Sequence, residues 1–436
     1  MKEKGILLPI YSLPSKYGIG DFGNEAYEFI DILSENNIKY WNILPINACN
    51  RAPYSPLSYY ALEEDYISID KLIEHKLIKS AETREIKDRV VYDDYKEKYY
   101  REAFSRFRKN EEYEEFIKCP EINEYVEYVC DSKDVSKEYC LFLQYILYRQ
   151  WMELKKYANS KGVEIIGDMP AYPVFNSAET NYHLECFQTE NGAFTYEAGA
   201  PPDMFNEDGQ TWGNPVYNVD NLRKDNYKYL INRYKYYSKL FDRIRVDYFR
   251  GYDSFYKVPI GRSAKEGMYN DGVSYPFFDE LLKEVDKKQL FIEDLGDIRQ
   301  ETINLREHYG FTRQKLFQFT FDFERCEDRD NDSENVVMFP ANHDCPTMLG
   351  WYNELKPEHQ EVFMNFLKKN GCSNDVHLGI IQYSKKCKAD IVILAVQDIL
   401  GLDNSARMNF PGTVSDDNWS WKLTDFDEFR EKIKEF

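Results

Sequence analysis

The chain has 436 residues, 43% of them hydrophobic and 30% charged, with a formal net charge of −20. Such a length holds one large domain with insertions or two to three ordinary ones, and such an apolar content excludes a disordered chain. The acidic balance excludes the basic footprint of a nucleic-acid-binding protein, and no 18-residue apolar stretch exists to span a membrane.

The first predicted strand is Gly5–Ile10. Gly18-Ile-Gly20-Asp-Phe-Gly23 follows it, and then Ala26, Phe29, Ile30 and Leu33 recur at helical spacing. GxGxxG between a strand and a helix has the form of a dinucleotide site, but that fingerprint needs an acid closing the second strand. Here the second strand, Tyr40–Pro45, closes without one. Residues 70–160 are charged and helix-like, with apolar positions at Leu141, Phe142, Tyr145 and Ile146, and read as a helical insertion before a third strand at Val163–Gly167. Residues 172–220 are rich in Gly, Pro, Asn and aromatics and read as a long substrate-shaping loop. That loop holds Ala200-Pro-Pro-Asp203 and Gly209-Gln210-Thr-Trp212-Gly-Asn-Pro215, where Gln210 offers a hydrogen bond and Trp212 a stacking face. Tyr227, Leu230, Ile231 and Tyr234 mark a helix ahead of strand four, Ile244–Phe249. Leu290–Glu293, Lys315–Phe321, Val336–Asn342 and Ile391–Val396 complete eight strands alternating with helices, which predicts one (β/α)8 TIM barrel over residues 1–436, with its insertions on the C-terminal rim.

Three of these strands end in carboxylates, Asp247, Glu293 and Asp344, spaced about fifty residues apart. That gap fits one strand, one helix and their loops, so all three acids reach the same rim of a parallel barrel. Converging carboxylates suit glycosidic-bond chemistry: a nucleophile, a proton donor and an orienting group. Each acid taken alone reads first as a helix N-cap or a βα-loop acid. Arg245 lies two before Asp247 and shares its face of the strand, favouring an ionised carboxylate or forming a structural ion pair at the barrel mouth. His343 adjoins Asp344, and Asn409 follows strand eight on the same rim. Asp328-Arg-Asp330-Asn-Asp332 resembles the start of a calcium loop, but Ser333 and Phe339 occupy the positions that need Gly and Glu, so a solvated acidic loop is expected. Nine scattered cysteines without a CxxC pair argue against structural zinc and suit a reducing cytosol. The N-terminal Met-Lys-Glu-Lys-Gly lacks the apolar core of a signal peptide, so a cytoplasmic location is expected.

In order, Ser12-Leu-Pro14, Tyr17-Gly-Ile-Gly-Asp21, Tyr40-Trp41, Leu44-Pro45, Gly167-Asp168-Met-Pro170, Pro201-Pro-Asp203, Gly209–Pro215, Arg245–Gly251, Glu293–Gly296, His343-Asp344 and Ala406–Gly412 resemble the 4-α-glucanotransferases (amylomaltase, disproportionating enzyme), a glycoside hydrolase family related to α-amylases. The resemblance runs nearly end to end. It implies Asp247 as nucleophile, Glu293 as acid/base and Asp344 as transition-state stabiliser. It further implies Arg245, His343 and Asn409 as subsite contacts, Gln210 and Trp212 in a loop over the donor, and Tyr54 as an aromatic at the cleft entrance. The implied partners are malto-oligosaccharides and α-glucans, and no cofactor or metal is required. Three departures stand out: Tyr248 where the family has His after the nucleophile, Asn342-His343-Asp344-Cys345 where it reads Thr-His-Asp-Asn, and Arg262–Tyr269, which keeps only part of Glu-x-x-Ala-x-x-Gly-x-Trp. In a regular strand Tyr248 points away from Asp247's face, unless a bend turns it inward. Other readings are a retaining α-glucan hydrolase, a catalytically weak glucan-binding protein, and a dinucleotide oxidoreductase.

Overall fold

In a computed structural model of the chain, residues 2–436 are described apart from 88, 134, 203–206, 297 and 331–333, so Asp203 lies outside the described residues, as do Asp332 and Ser333. Eight parallel strands close into a barrel: β1 (Glu3–Leu7), β2 (Tyr40–Asn42), β3 (Glu164–Met169), β4 (Arg243–Val246), β5 (Leu290–Ile292), β6 (Thr312–Leu316), β7 (Val336–Phe339) and β8 (Ile391–Ala395). Each pairs with its neighbours in sequence, and β1 closes the circle against both β2 and β8. These strands are β-branched and apolar because helices cover their outer face. Ile165, Ile244, Val246, Ile292, Val337 and Ile393 are all almost fully buried.

All eight predicted strands exist, but most stop short of their predicted C-terminal ends. The chain turns sharply at the rim: Ile10–Ser12 and Val396–Leu400 are helical, and Phe249 leads into a helical turn at Arg250–Asp253. Strand six is a register correction. It spans Thr312–Leu316 and not Lys315–Phe321, because Phe317–Thr320 forms a turn of helix. Its Thr-Arg-Gln-Lys sequence hides a strand from any apolar-run search, since Gln314 and Lys315 are buried in polar partnerships.

Lys315 Nζ donates to Asp328 Oδ2 at 2.5 Å, and Asp328 also accepts from Tyr383 at 2.7 Å and Thr320 at 2.8 Å. The calcium-loop resemblance thus dissolves at its first residue, which neutralises a buried lysine. Asp328→Ala leaves that charge buried and unpaired, and is expected to cost about 3–5 kcal/mol of stability. Chemical denaturation reads this directly, and an unchanged midpoint would mean that Lys315 needs no partner.

Between β2 and β3 run helices Glu97–Arg106, Glu111–Phe116, Pro120–Lys133 and Lys137–Ser160, the last packed against β3 and against helix Asn24–Glu35. The glycine motif is the turn between β1 and that helix. A Cβ on Gly20 would sit 2.2 Å from the Ile10 carbonyl oxygen, so the glycine serves a close backbone approach. The 172–220 segment is more regular than a loop. It contains helix Ala178–Tyr182 and strands Tyr196–Ala200 and Gln210–Pro215, which join Ser254–Pro259 and Met268–Asp271 in a four-stranded sheet. The partner strands come from far along the chain, so local sequence carries no sign of the pairing.

Candidate active site

The parallel register sets Asp168 of β3 beside Arg245 of β4. Arg245 points into the barrel and is 4% exposed. Its Nη1 donates to both oxygens of Asp168 at 2.9 Å and to Asp247 Oδ1 at 2.9 Å, and its Nε donates to Gln314 at 2.7 Å. One guanidinium thereby fixes two carboxylates through Nη1 and a side-chain amide through Nε, all charge-assisted bonds. Asp247 keeps 24% of its side chain exposed, open to the cleft.

Glu293 follows β5 and is stitched to the end of β4. Its backbone N–H donates to the Val246 carbonyl, and its own carbonyl accepts from Phe249 N–H, both at 2.9 Å. Its carboxylate accepts from Tyr248 N–H at 3.0 Å and Leu295 N–H at 2.6 Å. The neighbouring Asp294 turns away and pairs with Arg306 at 2.6 Å. Burial drives the Glu293 carboxyl up to about 7, with Asp247 adding to the rise and Arg245 and the two N–H groups opposing it. Burial also raises Asp247, but Arg245 in direct contact pulls it back. Among the described residues Asp247 touches a cation and Glu293 does not.

Asp344 follows β7 with 43% of its side chain exposed. Burial of its carboxyl would raise it, yet His343 Nε2 at 3.3 Å, Asn409 Nδ2 donating at 2.7 Å and Arg245 bring it down to about 2. Its backbone is pinned as well: Asn342 Oδ1 accepts its N–H at 3.0 Å, and Arg407 Nη2 donates to its carbonyl at 2.8 Å. Tyr54 is half-buried beside these groups. Its hydroxyl donates to the buried Asp168 at 2.7 Å, and its ring stacks on His343 with centroids 5.0 Å apart. Trp419 closes the aromatic group 5.7 Å from Tyr54 and 6.0 Å from His343.

Gln210 and Trp212 open the strand Gln210–Pro215, where Trp212 Nε1 donates to Gln210 Oε1 at 3.1 Å. Trp212 meets the Tyr248 ring edge-on at 5.0 Å. Tyr248 has φ 51, a left-handed conformation that costs a non-glycine residue roughly 1–2 kcal/mol. The turn carries its ring to Trp212 and its hydroxyl to the Tyr256 N–H, on the four-stranded sheet.

Arg245, Asp247, Glu293, Asp344, His343, Asn409 and Tyr54 thus converge on one rim, with Trp212 reaching it through Tyr248. Sequence reasoning missed Asp168, Gln314 and Trp419. Asp168 was findable, since it closes its strand with a carboxylate as the other acids do. Gln314 and Trp419 carry no comparable signal. Among the described residues no helix is long and apolar enough to cross a membrane.

The sequence model of a family described as 4-alpha-glucanotransferase matches residues 8–130 and 120–427. The chain is 33% identical to the 4-alpha-glucanotransferase of Aquifex aeolicus over 477 aligned positions, covering 100% of this chain and 98% of that protein. It is 32% identical to that of Streptococcus pneumoniae, covering 97% and 94%. The structure is similar to amylomaltase from Streptococcus agalactiae in complex with acarbose, with a TM-score of 0.92, 26% identity, and coverage of 100% and 98%.

Proposed function

Since the chain belongs to the 4-alpha-glucanotransferase family, we propose that Asp247, Glu293 and Asp344 carry its reaction as nucleophile, acid/base and charge stabiliser. The enzyme transfers α-1,4-glucan segments between malto-oligosaccharide chains. Glu293 gives its proton to the leaving oxygen while Asp247 attacks the anomeric carbon, releasing the shortened donor and leaving a β-linked glycosyl-enzyme. The 4-hydroxyl of a second glucan then loses its proton to Glu293 and attacks the same carbon, expelling Asp247. Two inversions return the α-linkage. Asp344, held ionised, faces the positive charge that develops on the sugar ring.

One observation carries the assignment of roles: Arg245 bonds to the Asp247 carboxylate, whereas among the described residues the Glu293 carboxylate accepts from backbone N–H groups and touches no cation, so that burial pushes it up. Paired carboxyls whose environments differ in this way divide into proton donor and nucleophile. Tyr54 offers an aromatic face and His343 a subsite contact, Asn409 orients Asp344, and Gln210 and Trp212 contact the donor. Residues 1–436 act as one catalytic unit, with 70–160 and 172–220 as insertions. The nine unpaired cysteines support a cytoplasmic setting.

Incubation with maltotriose tests the activity. Transfer yields glucose and a ladder of longer oligomers, hydrolysis yields glucose and maltose alone, and a binding protein leaves the trisaccharide unchanged. Trp212→Ala is expected to shift product lengths and weaken donor use more than it lowers stability, because Trp212 is only partly buried at the edge of a small aromatic cluster. A large fall in melting temperature with an unchanged ladder would make Trp212 a core residue.

A further inference from the structure

Tyr248 is the chain's departure at the position after the proposed nucleophile, and its backbone, hydroxyl and ring each make a separate contact. Its backbone N–H donates to Glu293 Oε2 at 3.0 Å. Its hydroxyl accepts the Tyr256 N–H at 3.3 Å, on the central strand Ser254–Pro259 of the four-stranded sheet, and Arg250 bonds to the same oxygen. Its ring meets Trp212 edge-on at 5.0 Å, on the last strand of that sheet. The half-buried ring is seated by Gly251, where a Cβ would fall 2.7 Å from the Tyr248 Cδ1 and Cε1. Behind it lies a cavity of about 30 Å³ lined by Tyr172, Tyr252 and Phe255.

We propose that Tyr248 is a positioning residue that braces the donor-side strand bearing Gln210 and Trp212 against the catalytic carboxylates, making it a determinant of donor use. The proposal rests on the reading of Gln210 and Trp212 as donor contacts and of Glu293 as the acid/base. Its physical content is a division of labour within one residue. The backbone serves the chemistry and survives any substitution except proline. The ring serves the donor strand and is lost when the side chain is removed. Ring loss should therefore raise KM for the donor and leave kcat comparatively untouched.

The test is a double-mutant cycle on the full chain, read as kcat and KM for maltotriose disproportionation with product lengths. Tyr248→Gly keeps the N–H and suits the left-handed φ, so it removes the ring with little backbone penalty. Tyr248→Gly and Trp212→Ala are each expected to raise KM about tenfold while kcat falls less than about threefold, and the double variant should stay within about threefold of the worse single, because both remove one contact. Tyr248→Phe and Tyr248→His, which keep a ring, should remain within about tenfold of wild type. Gly251→Ala, which pushes the ring without altering its atoms, should reproduce the KM effect even where Tyr248→Gly folds poorly. Effects that multiply in the double variant, or a Gly251→Ala enzyme with wild-type KM, overturn the brace alone. If Trp212→Ala by itself leaves KM and product lengths unchanged, the donor-contact reading falls and the brace falls with it.

Discussion

Asp247→Asn is expected to abolish turnover while the protein stays folded. The substitution is isosteric, and the asparagine oxygen can still accept from Arg245. Nor is Arg245 orphaned, since Asp168 holds it through both oxygens at 2.9 Å and Gln314 accepts at 2.7 Å. What disappears is the charge that, in the proposed role, attacks the anomeric carbon. Removing a nucleophile closes the covalent route, so kcat should fall by about 10⁴-fold or more, a barrier increase of at least ~5 kcal/mol. Melting temperature and kcat measured on the same preparation separate the two effects. A correctly folded variant with near-normal activity would remove Asp247 from the role assigned to it.

The convergence of the carboxylates on one rim was legible because barrel geometry converts sequence position into spatial position. Each strand ends on the same side, so an acid closing an apolar run has one destination. That rule located Asp247, Glu293 and Asp344 and, through the two-residue period of a strand, Arg245 on the Asp247 face. It applied equally to Asp168, whose part as anchor for Arg245 depends on a β3–β4 register that no local pattern encodes. Strand six escaped for a different reason. A strand that carries Gln314 into the barrel and Lys315 outward beneath the helix bearing Tyr383 reads as charged surface until their partners, Arg245 and Asp328, are known. The sheet beside the cleft was illegible for a third reason. Tyr196–Ala200 pairs with Ser254–Pro259 across the whole of β4, and a segment rich in Gly and Pro gives no sign of so distant a partner. Tyr248 sits where these failures meet, since its role follows from a left-handed turn and from contacts to that unforeseen sheet.

Glu293→Gln is expected to keep glucan binding and lose the proton. General acid–base assistance is typically about 10²–10⁴-fold, and the loss with maltotriose should lie in that range. The variant also exchanges an acceptor for a donor. The carboxylate takes one N–H on each oxygen, from Tyr248 and Leu295, whereas glutamine accepts only one and turns its amide N–H₂ toward the other. That mismatch should lower stability by about 1–3 kcal/mol, so activity is read well below the unfolding temperature. Two further readouts isolate the proton. A donor with a good leaving group needs little protonation, so it should form the glycosyl-enzyme in the variant far faster than maltotriose does. In the wild type, kcat/KM should fall as pH rises through about 7, because the donor form of Glu293 is the protonated one and burial holds its carboxyl there. In the variant that alkaline limb should vanish, since the amide does not titrate, while any acid limb set by Asp247 stays. An activated donor with no advantage over maltotriose, or an alkaline limb that persists in Glu293→Gln, would show that the proton comes from another group.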